Sequence, residues 1–310
     1  MSLVLGPIVE LYRYVLAPVS PFTWFGLEVS TLDVAATIRL CFVLRQLREQ
    51  FYRQHLQESK AKGVKPTPEP RSFVRDAAAT LLVVYGGETI TGPFLGVPPS
   101  FMISGVVPIL YTVFQALVDT VPSVPAPAIT HELPLSFLDG LSRAYLLCNL
   151  IPPSVTSNVS AQISTSPWTL LLTSFITANA GFFLTGLSSL LHPFSLTLTT
   201  PTELLPYGWT TTDLWCAPLI TGLYAFLTHA QPFWGNAHGV INTLLGGGEA
   251  TPIDAEVARA ACAVILSVLF STRAARNFGS ASVQVNTPPG KLLSNGTQSE
   301  KVANDDEKTT

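Results

Sequence analysis

Hydrophobic runs alternate with short polar, proline-rich or charged stretches along the chain, and seven of these runs approach the length of a membrane crossing. A helix needs about 20 mostly apolar residues to span a bilayer. The pattern therefore predicts an all-α polytopic membrane protein with seven transmembrane helices. The runs cover residues 29–47, 77–95, 101–121, 133–151, 168–191, 214–230 and 257–275.

Two further segments flank these runs. Residues 1–28 mix apolar and aromatic side chains with prolines, and we expect an interfacial, non-cytosolic segment there. Residues 277–310 are rich in Ser, Asn, Lys, Asp and Glu. Because such a composition cannot bury a core, we expect a disordered cytosolic tail.

The two halves of the chain share weak internal similarity. The motif Gly-x-x-x-Thr-Gly occurs at residues 87–92 and again at 181–186. Residues 107–122 and 217–232 carry Pro, Leu and Pro at identical intervals. The first and fourth runs both open on Leu-Asp and both carry an arginine and a cysteine.

This similarity predicts a 3+3 inverted repeat followed by a seventh helix. Because each repeat has an odd number of helices, the second crosses the membrane in the opposite direction to the first, as in many transport proteins. The first repeat is expected at residues 29–122 and the second at 123–232. A loop and the seventh helix follow at 233–276.

Composition and charge support a lipid bilayer as the surroundings. The mean hydropathy is +0.39 and only 12% of residues are charged, about half the share in soluble proteins. Eight of the 17 Lys and Arg residues lie at 45–75, which the positive-inside rule assigns to the cytosol. The N-terminus is then lumenal and the C-terminus cytosolic. A net charge of −3 gives no reason to expect a nucleic-acid partner.

Several ionisable residues lie inside the predicted spans, where a charge costs a few kcal/mol and needs a partner or a wet cavity. Asp139 and Arg143 are four residues apart, so they can pair along one helix face. Such a pair is either structural or lines a conduction path. The candidates for an ion pathway are Asp33, Arg39, Glu88, Asp139 and Arg143.

Glycines mark the second and fifth runs, although each costs about 1 kcal/mol inside a helix. The helices either unwind there, so that carbonyl groups and Glu88 coordinate a cation, or approach each other closely. In the unwound alternative, the helices kink at these glycines and a pore lies between them. The glycines are Gly86, Gly87, Gly92, Gly181 and Gly186.

No catalytic constellation is present in the sequence. The five histidines are scattered, the four cysteines lack the spacing of a metal site, and no glycine run continues into a phosphate-binding Lys-Ser or Lys-Thr. We therefore expect neither an enzyme nor a protein that holds a metal or another cofactor.

Four local motifs resemble the trimeric intracellular cation (TRIC) channels over about residues 29–279. They correspond to that family's glycine-bearing second helix, its Leu-Gly-x-Pro turn, the acidic end of its third helix and its fourth-helix Lys-Glu-Val motif with a following arginine. The motifs read Tyr85-Gly86, Phe94-Leu95-Gly96-Val97-Pro98, Val118-Asp119 and Phe137-Leu138-Asp139-Gly140-Leu141-Ser142-Arg143.

The resemblance implies a homotrimer with one pore in each protomer. It also implies conduction of monovalent cations, mainly potassium, across an endoplasmic or sarcoplasmic reticulum membrane as counter-ion for calcium movement. Arg143 matches the family's arginine, but Asp139 stands in place of its lysine and Gly140 in place of its glutamate. That basic motif is tied to phosphoinositide binding and gating in the family, and this chain departs from it.

Two other classes fit part of the pattern. A small-solute secondary transporter also uses internal repeats, and saturable transport would distinguish it from a channel. A receptor or scaffold with seven spans would also have a lumenal or external N-terminus, but it would conduct no ions and needs no internal repeat.

Overall fold

The computed structural model describes residues 2–65, 72–194, 197–201, 212–247 and 249–284, and its regular elements are helices. The α-helices are α1 (Ser2–Val15), α2 (Thr31–Ala61), α3 (Phe73–Leu95), α4 (Ser100–Ile103), α5 (Val106–Thr120), α6 (Ile129–Tyr145), α7 (Ile151–Thr156), α8 (Ala161–Ser164), α9 (Pro167–Leu187), α10 (Thr212–Thr228), α11 (Pro232–Leu244) and α12 (Ala255–Gln284). A 3₁₀ turn covers Phe22–Phe25, and a π-helical segment, Leu146–Leu150, joins α6 to α7.

Local capping sets several helix boundaries. α2 begins with a capping box, in which the Ser30 hydroxyl accepts from the Asp33 amide and the Asp33 carboxylate accepts from the Ser30 amide. α9 begins after Ser166, whose hydroxyl accepts from the Thr169 amide. α3 ends at Gly96, whose φ of 66° suits glycine because other residues are strained there.

A helix lies at each of the seven predicted runs, but the first continues far beyond its predicted end. α2 runs to Ala61, so the predicted basic loop at 45–75 is helical over its first half. Arg45 and Arg48 are only 2% and 3% exposed. Arg45 pairs with Glu49 one turn later, and Arg48 pairs with Asp76 at the start of α3. These two arginines are therefore neutralised inside the helical bundle and do not belong to a solvated loop.

Three other predicted segments also differ. The predicted interfacial segment at residues 1–28 contains α1. Its Tyr12 is fully buried and donates a hydrogen bond of 2.8 Å to the Leu141 carbonyl. α11 lies where the sequence predicts only a loop before the seventh helix. The boundary at residue 277 falls inside α12, which ends at Gln284; residues 285–310 lie outside the described part of the chain.

The fourth predicted run ends at residue 151, before Pro152 and Pro153, but helical structure continues past it. Both prolines lie in the first turn of α7, where a proline needs no amide donor. The π segment before the prolines is bonded by side chains of two other helices. Thr221 of α10 donates to the Leu147 carbonyl at 3.1 Å, and Arg259 of α12 donates to the Asn149 side chain at 3.1 Å. Two neighbouring helices therefore hold this irregular turn in place.

Two helix pairs form the centre of the bundle. α6 packs along α12, and α3 packs along α9; α10 contacts both α9 and α12, while α5 contacts α2 and α3. The α6–α12 contact is close because a Cβ on Gly140 would lie 2.8 Å from the Ser267 Cα. Gly140, which stands in place of the TRIC motif's glutamate, therefore has to be glycine for this contact to form.

Two described helices are long and apolar enough to cross a membrane, namely Pro167–Leu187 and the Ala255–Phe278 part of α12. Only 33% and 39% of the residues in their most apolar windows are buried, so much of their apolar surface faces outward. Val106–Thr120 and Leu214–Thr228 are apolar but shorter. The structure is therefore all-helical with two candidate membrane spans, while the count of seven spans and the inverted repeat stay predictions.

Helix α11 also presents its apolar side outward. Phe233, Val240 and Leu244 share one exposed face, whereas His238 on the opposite side is half-buried against α10. The helix contains no charged residue. A helix in water has the reverse arrangement, so this face agrees with contact to lipid.

The tight α3–α9 contact predicts a large difference between two glycine substitutions. Gly181→Ala adds a Cβ that would lie 2.7 Å from the Val83 carbonyl carbon, and we expect destabilisation by about 1 to 3 kcal/mol. Gly239→Ala in α11 meets no atom within 4 Å, so it should be neutral or stabilise by up to about 1 kcal/mol. Thermal unfolding of the detergent-solubilised variants, followed by size-exclusion chromatography, measures both; equal melting temperatures would contradict the close contact.

Candidate functional site

The candidate site is the crossing of α3 and α9 at their glycines. A Cβ on Gly86 would lie 3.0 Å from the Gly181 Cα, and a Cβ on Gly87 would lie 2.6 Å from the Thr177 Cα. Both helices stay regular through these positions. The predicted unwinding at Gly86, Gly87 and Gly181 is therefore wrong, since these glycines allow backbone contact between uninterrupted helices.

The two Gly-x-x-x-Thr-Gly motifs form the same local hydrogen bond. Thr91 donates to the Gly87 carbonyl at 3.1 Å, and Thr185 donates to the Gly181 carbonyl at 2.8 Å. Both threonines are buried. The Thr91 hydroxyl also lies 3.1 Å from the Thr177 hydroxyl of α9. The crossing therefore brings uncharged hydroxyl oxygens together within an otherwise apolar contact.

The last glycine of each motif has a different role. A Cβ on Gly92 would lie 2.7 Å from the Val97 carbonyl oxygen, so Gly92 permits the tight turn after α3. A Cβ on Gly186 would meet only Pro201, at an ordinary 3.7 Å. Neither residue interrupts its helix, so neither supplies the predicted kink.

Arg143 connects α6 to the crossing. Its guanidinium donates to the Ala178 carbonyl of α9 at 3.0 Å, one residue beyond Thr177. No hydrogen bond or ion pair joins Arg143 to Asp139 among the described residues, so the predicted pair along one helix face is not formed. Arg143 instead places a positive charge beside the glycine contact.

Asp139 pairs with Arg39 across helices, and Glu132 completes the cluster. Arg39 of α2 lies 3.1 Å from the Asp139 carboxylate and 2.7 Å from the Glu132 carboxylate of α6. The three side chains are 11%, 26% and 10% exposed. One guanidinium therefore faces two carboxylates, and the cluster has a formal charge of −1. Glu132 was missed from the sequence, although its spacing of seven residues from Asp139 places both on one helix face.

Asp33 and Glu88 serve as caps. Asp33 closes the capping box of α2. The two carboxylate oxygens of Glu88 accept from the amide and the hydroxyl of Ser100, at 2.7 Å and 2.8 Å, at the start of α4. The hypothesis that Glu88 and unwound carbonyl groups form a cation site is therefore wrong in this structure, because the helix is intact and the carboxylate is engaged.

The described residues contain no group of three or more His, Cys, Asp and Glu side chains that could hold a metal ion. The four cysteines are buried and unlinked. The chemistry at the crossing is consequently that of hydroxyl and carbonyl oxygens, with the Arg143 guanidinium bonded to the Ala178 carbonyl beside them.

No protein-family model, curated protein or solved structure matches this chain. The interpretation of the site therefore rests on its residues and their geometry.

The Arg39 cluster predicts a strong and recoverable effect on stability. Arg39→Met leaves two largely buried carboxylates without their cation, which should cost about 3 to 5 kcal/mol. Adding Glu132→Gln and Asp139→Asn removes the unpaired charges and should restore most of the loss. Thermal unfolding in lipid nanodiscs measures the series.

The matched control is Arg53→Met, which removes an arginine that is 55% exposed and pairs with Glu49 at 3.4 Å. An exposed pair contributes between about 0 and 1 kcal/mol, so the melting temperature should hardly change. If Arg39→Met were as mild as this control, the cluster would not hold α2 to α6.

Proposed function

We propose that this chain is a monovalent cation channel of an intracellular membrane, with potassium as its main ion and the pathway inside each protomer at the α3–α9 crossing. The observation that carries the proposal is the close crossing of α3 and α9 at Gly86, Gly87 and Gly181. The crossing sets the hydroxyl groups of Thr91 and Thr177 3.1 Å apart. Hydroxyl and carbonyl oxygens can replace part of the hydration shell of a monovalent cation without holding it too tightly to leave.

Charges of both signs lie near the proposed pathway. The cluster of Arg39, Glu132 and Asp139 carries a formal charge of −1 and favours cations over anions nearby. Arg143, beside the crossing, repels cations from it. Since α3 and α9 touch through their backbones, this arrangement is a closed one, and conduction requires the two helices to separate.

Three further parts of the proposal come from the resemblance to TRIC channels alone. They are assembly as a homotrimer, residence in the endoplasmic reticulum or another endomembrane, and a counter-ion role during calcium movement. The proposed orientation has a lumenal N-terminus and a cytosolic C-terminus. The loop between the fourth and fifth predicted runs, which contains Asn158, then lies in the lumen. Phosphoinositide binding is not proposed, because Asp139 and Gly140 replace the residues tied to it.

Planar-bilayer recording of the purified protein tests the class of function. Under a potassium gradient, we expect currents that reverse near the potassium equilibrium potential. Reversal near the anion potential, or a silent protein that catalyses saturable solute uptake in vesicles, would contradict the channel and favour the transporter.

Removing hydroxyl groups at the crossing tests the pathway. Thr91→Val and Thr177→Val keep the side-chain shape but lose an oxygen worth about 1 kcal/mol, so single-channel conductance should fall about fivefold. Thr89→Val is the matched control, because the Thr89 hydroxyl is bonded to its own helix at Tyr85 and its side chain is exposed. Equal conductance in all three variants would place the pathway elsewhere.

A further inference from the structure

Two histidines that are nine residues apart in sequence meet at the corner between α10 and α11. His229 Nε2 lies 2.7 Å from His238 Nδ1, and the two rings stand nearly perpendicular at 84°. The His238 ring also packs on Phe226, with ring centroids 4.6 Å apart. One imidazole must donate and the other accept, so this contact requires that at least one of the two facing nitrogens carries no proton.

The backbone at His229 provides an independent reason to assign a role to this pair. His229 has a φ of 53° and follows α10 directly. The Ala230 amide donates to the Ala225 carbonyl at 3.0 Å, which is the hydrogen bond of a Schellman motif. Glycine is the usual residue at this position because a side chain is strained there. The chain keeps an imidazole where glycine would fold more easily, a pattern that points to function.

The same motif ends α9 without an imidazole. Ser189 has a φ of 50°, and the Leu190 amide donates to the Thr185 carbonyl at 3.1 Å. Ser189 and His229 are thus equivalent in backbone and different in chemistry. This provides a control in which the strain is removed but no titratable group is lost.

We propose that the His229–His238 contact is a proton-operated latch that holds α11 against α10 at neutral pH and releases it in acid. A first proton leaves the contact intact, because an N–H group still faces a lone pair. A second proton sets two N–H groups and two positive charges against each other, which breaks the hydrogen bond and repels α11. Histidine is suited to this because its charge changes between about pH 5 and 8.

No ion pair joins a described carboxylate to either histidine; Asp254 comes closest in the fold, because the amide of the preceding Ile253 bonds the Leu227 carbonyl of α10. α9 has no titratable side chain, and α11 has none besides His238. The charged residues of the connector after α11 and of the first turns of α12 are exposed or engaged elsewhere. They are Glu249, which is exposed, Asp254, which caps α12, Glu256, which pairs with Arg13, and Arg259, which bonds Asn149 and stacks on Tyr12. The repulsion in the doubly protonated pair is therefore not offset by a carboxylate in contact.

Hydrogen exchange measured by mass spectrometry on the full chain in lipid nanodiscs tests the latch. Spectra are compared at about pH 7.5 and about pH 5, with exchange times scaled to the intrinsic pH dependence of amide exchange. We expect peptides covering residues 229–245 to lose protection about tenfold in acid. A local measurement is needed because His192 after α9, whose pKa is lowered by burial, also titrates.

Three variants separate the latch from the fold. His229→Gly keeps the backbone conformation and removes one imidazole, so the acid response of 229–245 should vanish. His238→Gln keeps a hydrogen-bonding side chain of similar size that does not titrate, and it should also abolish the response. Ser189→Gly relieves the equivalent strain at α9 and should leave the response as in the original chain. An original chain without an acid response, or a His229→Gly variant that keeps it, would overturn the proposal.

Any effect of the latch on conduction rests on the proposed channel function, but release of α11 does not. Lowering the pH on the lumenal side during bilayer recording should change open probability in the original chain and not in His238→Gln. Absence of current at every pH would reject the channel and leave the exchange result standing. Current without a pH response would limit the latch to a local structural role.

Discussion

Backbone contact between α3 and α9 determines how the other helices are arranged. Without a side chain at Gly87 or Gly181, the two helices approach until each backbone meets the other. This approach brings Thr91 beside Thr177 and sets the Ala178 carbonyl where Arg143 of α6 reaches it. The contact between two helices thereby fixes the position of a third. Small residues with this effect are common in helical membrane proteins, where packing replaces the hydrophobic drive between helices.

Charged side chains inside the bundle bond one helix to another. Arg39 joins α2 to α6, Arg48 joins α2 to α3, and Arg143 joins α6 to α9. A buried ion pair often adds little net stability, because desolvation offsets the attraction, but breaking one is costly. Such pairs therefore select one arrangement of helices over others of similar apolar burial, and they do so here with very few charges.

The positions of the helices could be predicted from hydrophobic runs, and close approach of the two glycine-bearing helices was one of the two alternatives that their glycines suggested. The partners of the charged residues could not. Asp139 and Arg143 have the spacing of a pair along one helix, yet each bonds a different helix because those partners lie closer in the folded chain. Spacing likewise gave no sign that His229 and His238 meet, since their approach depends on the turn between α10 and α11. α11 was missed because it is shorter than a membrane crossing and lies among glycines.

The π segment Leu146–Leu150 has a consequence for the whole stretch from α6 to α7. A π turn contains one residue more than an α turn, and one residue rotates a helix by about 100°. Side chains before and after the segment therefore point in directions that a single helical wheel does not reproduce. Before the π segment, Asp139 and Arg143 bond residues of α2 and α9. After it, Val155 packs in a cluster with Leu95 and Leu170. Because of one inserted residue, the continuous helical stretch from α6 to α7 contacts one set of neighbours before the π segment and another set after it.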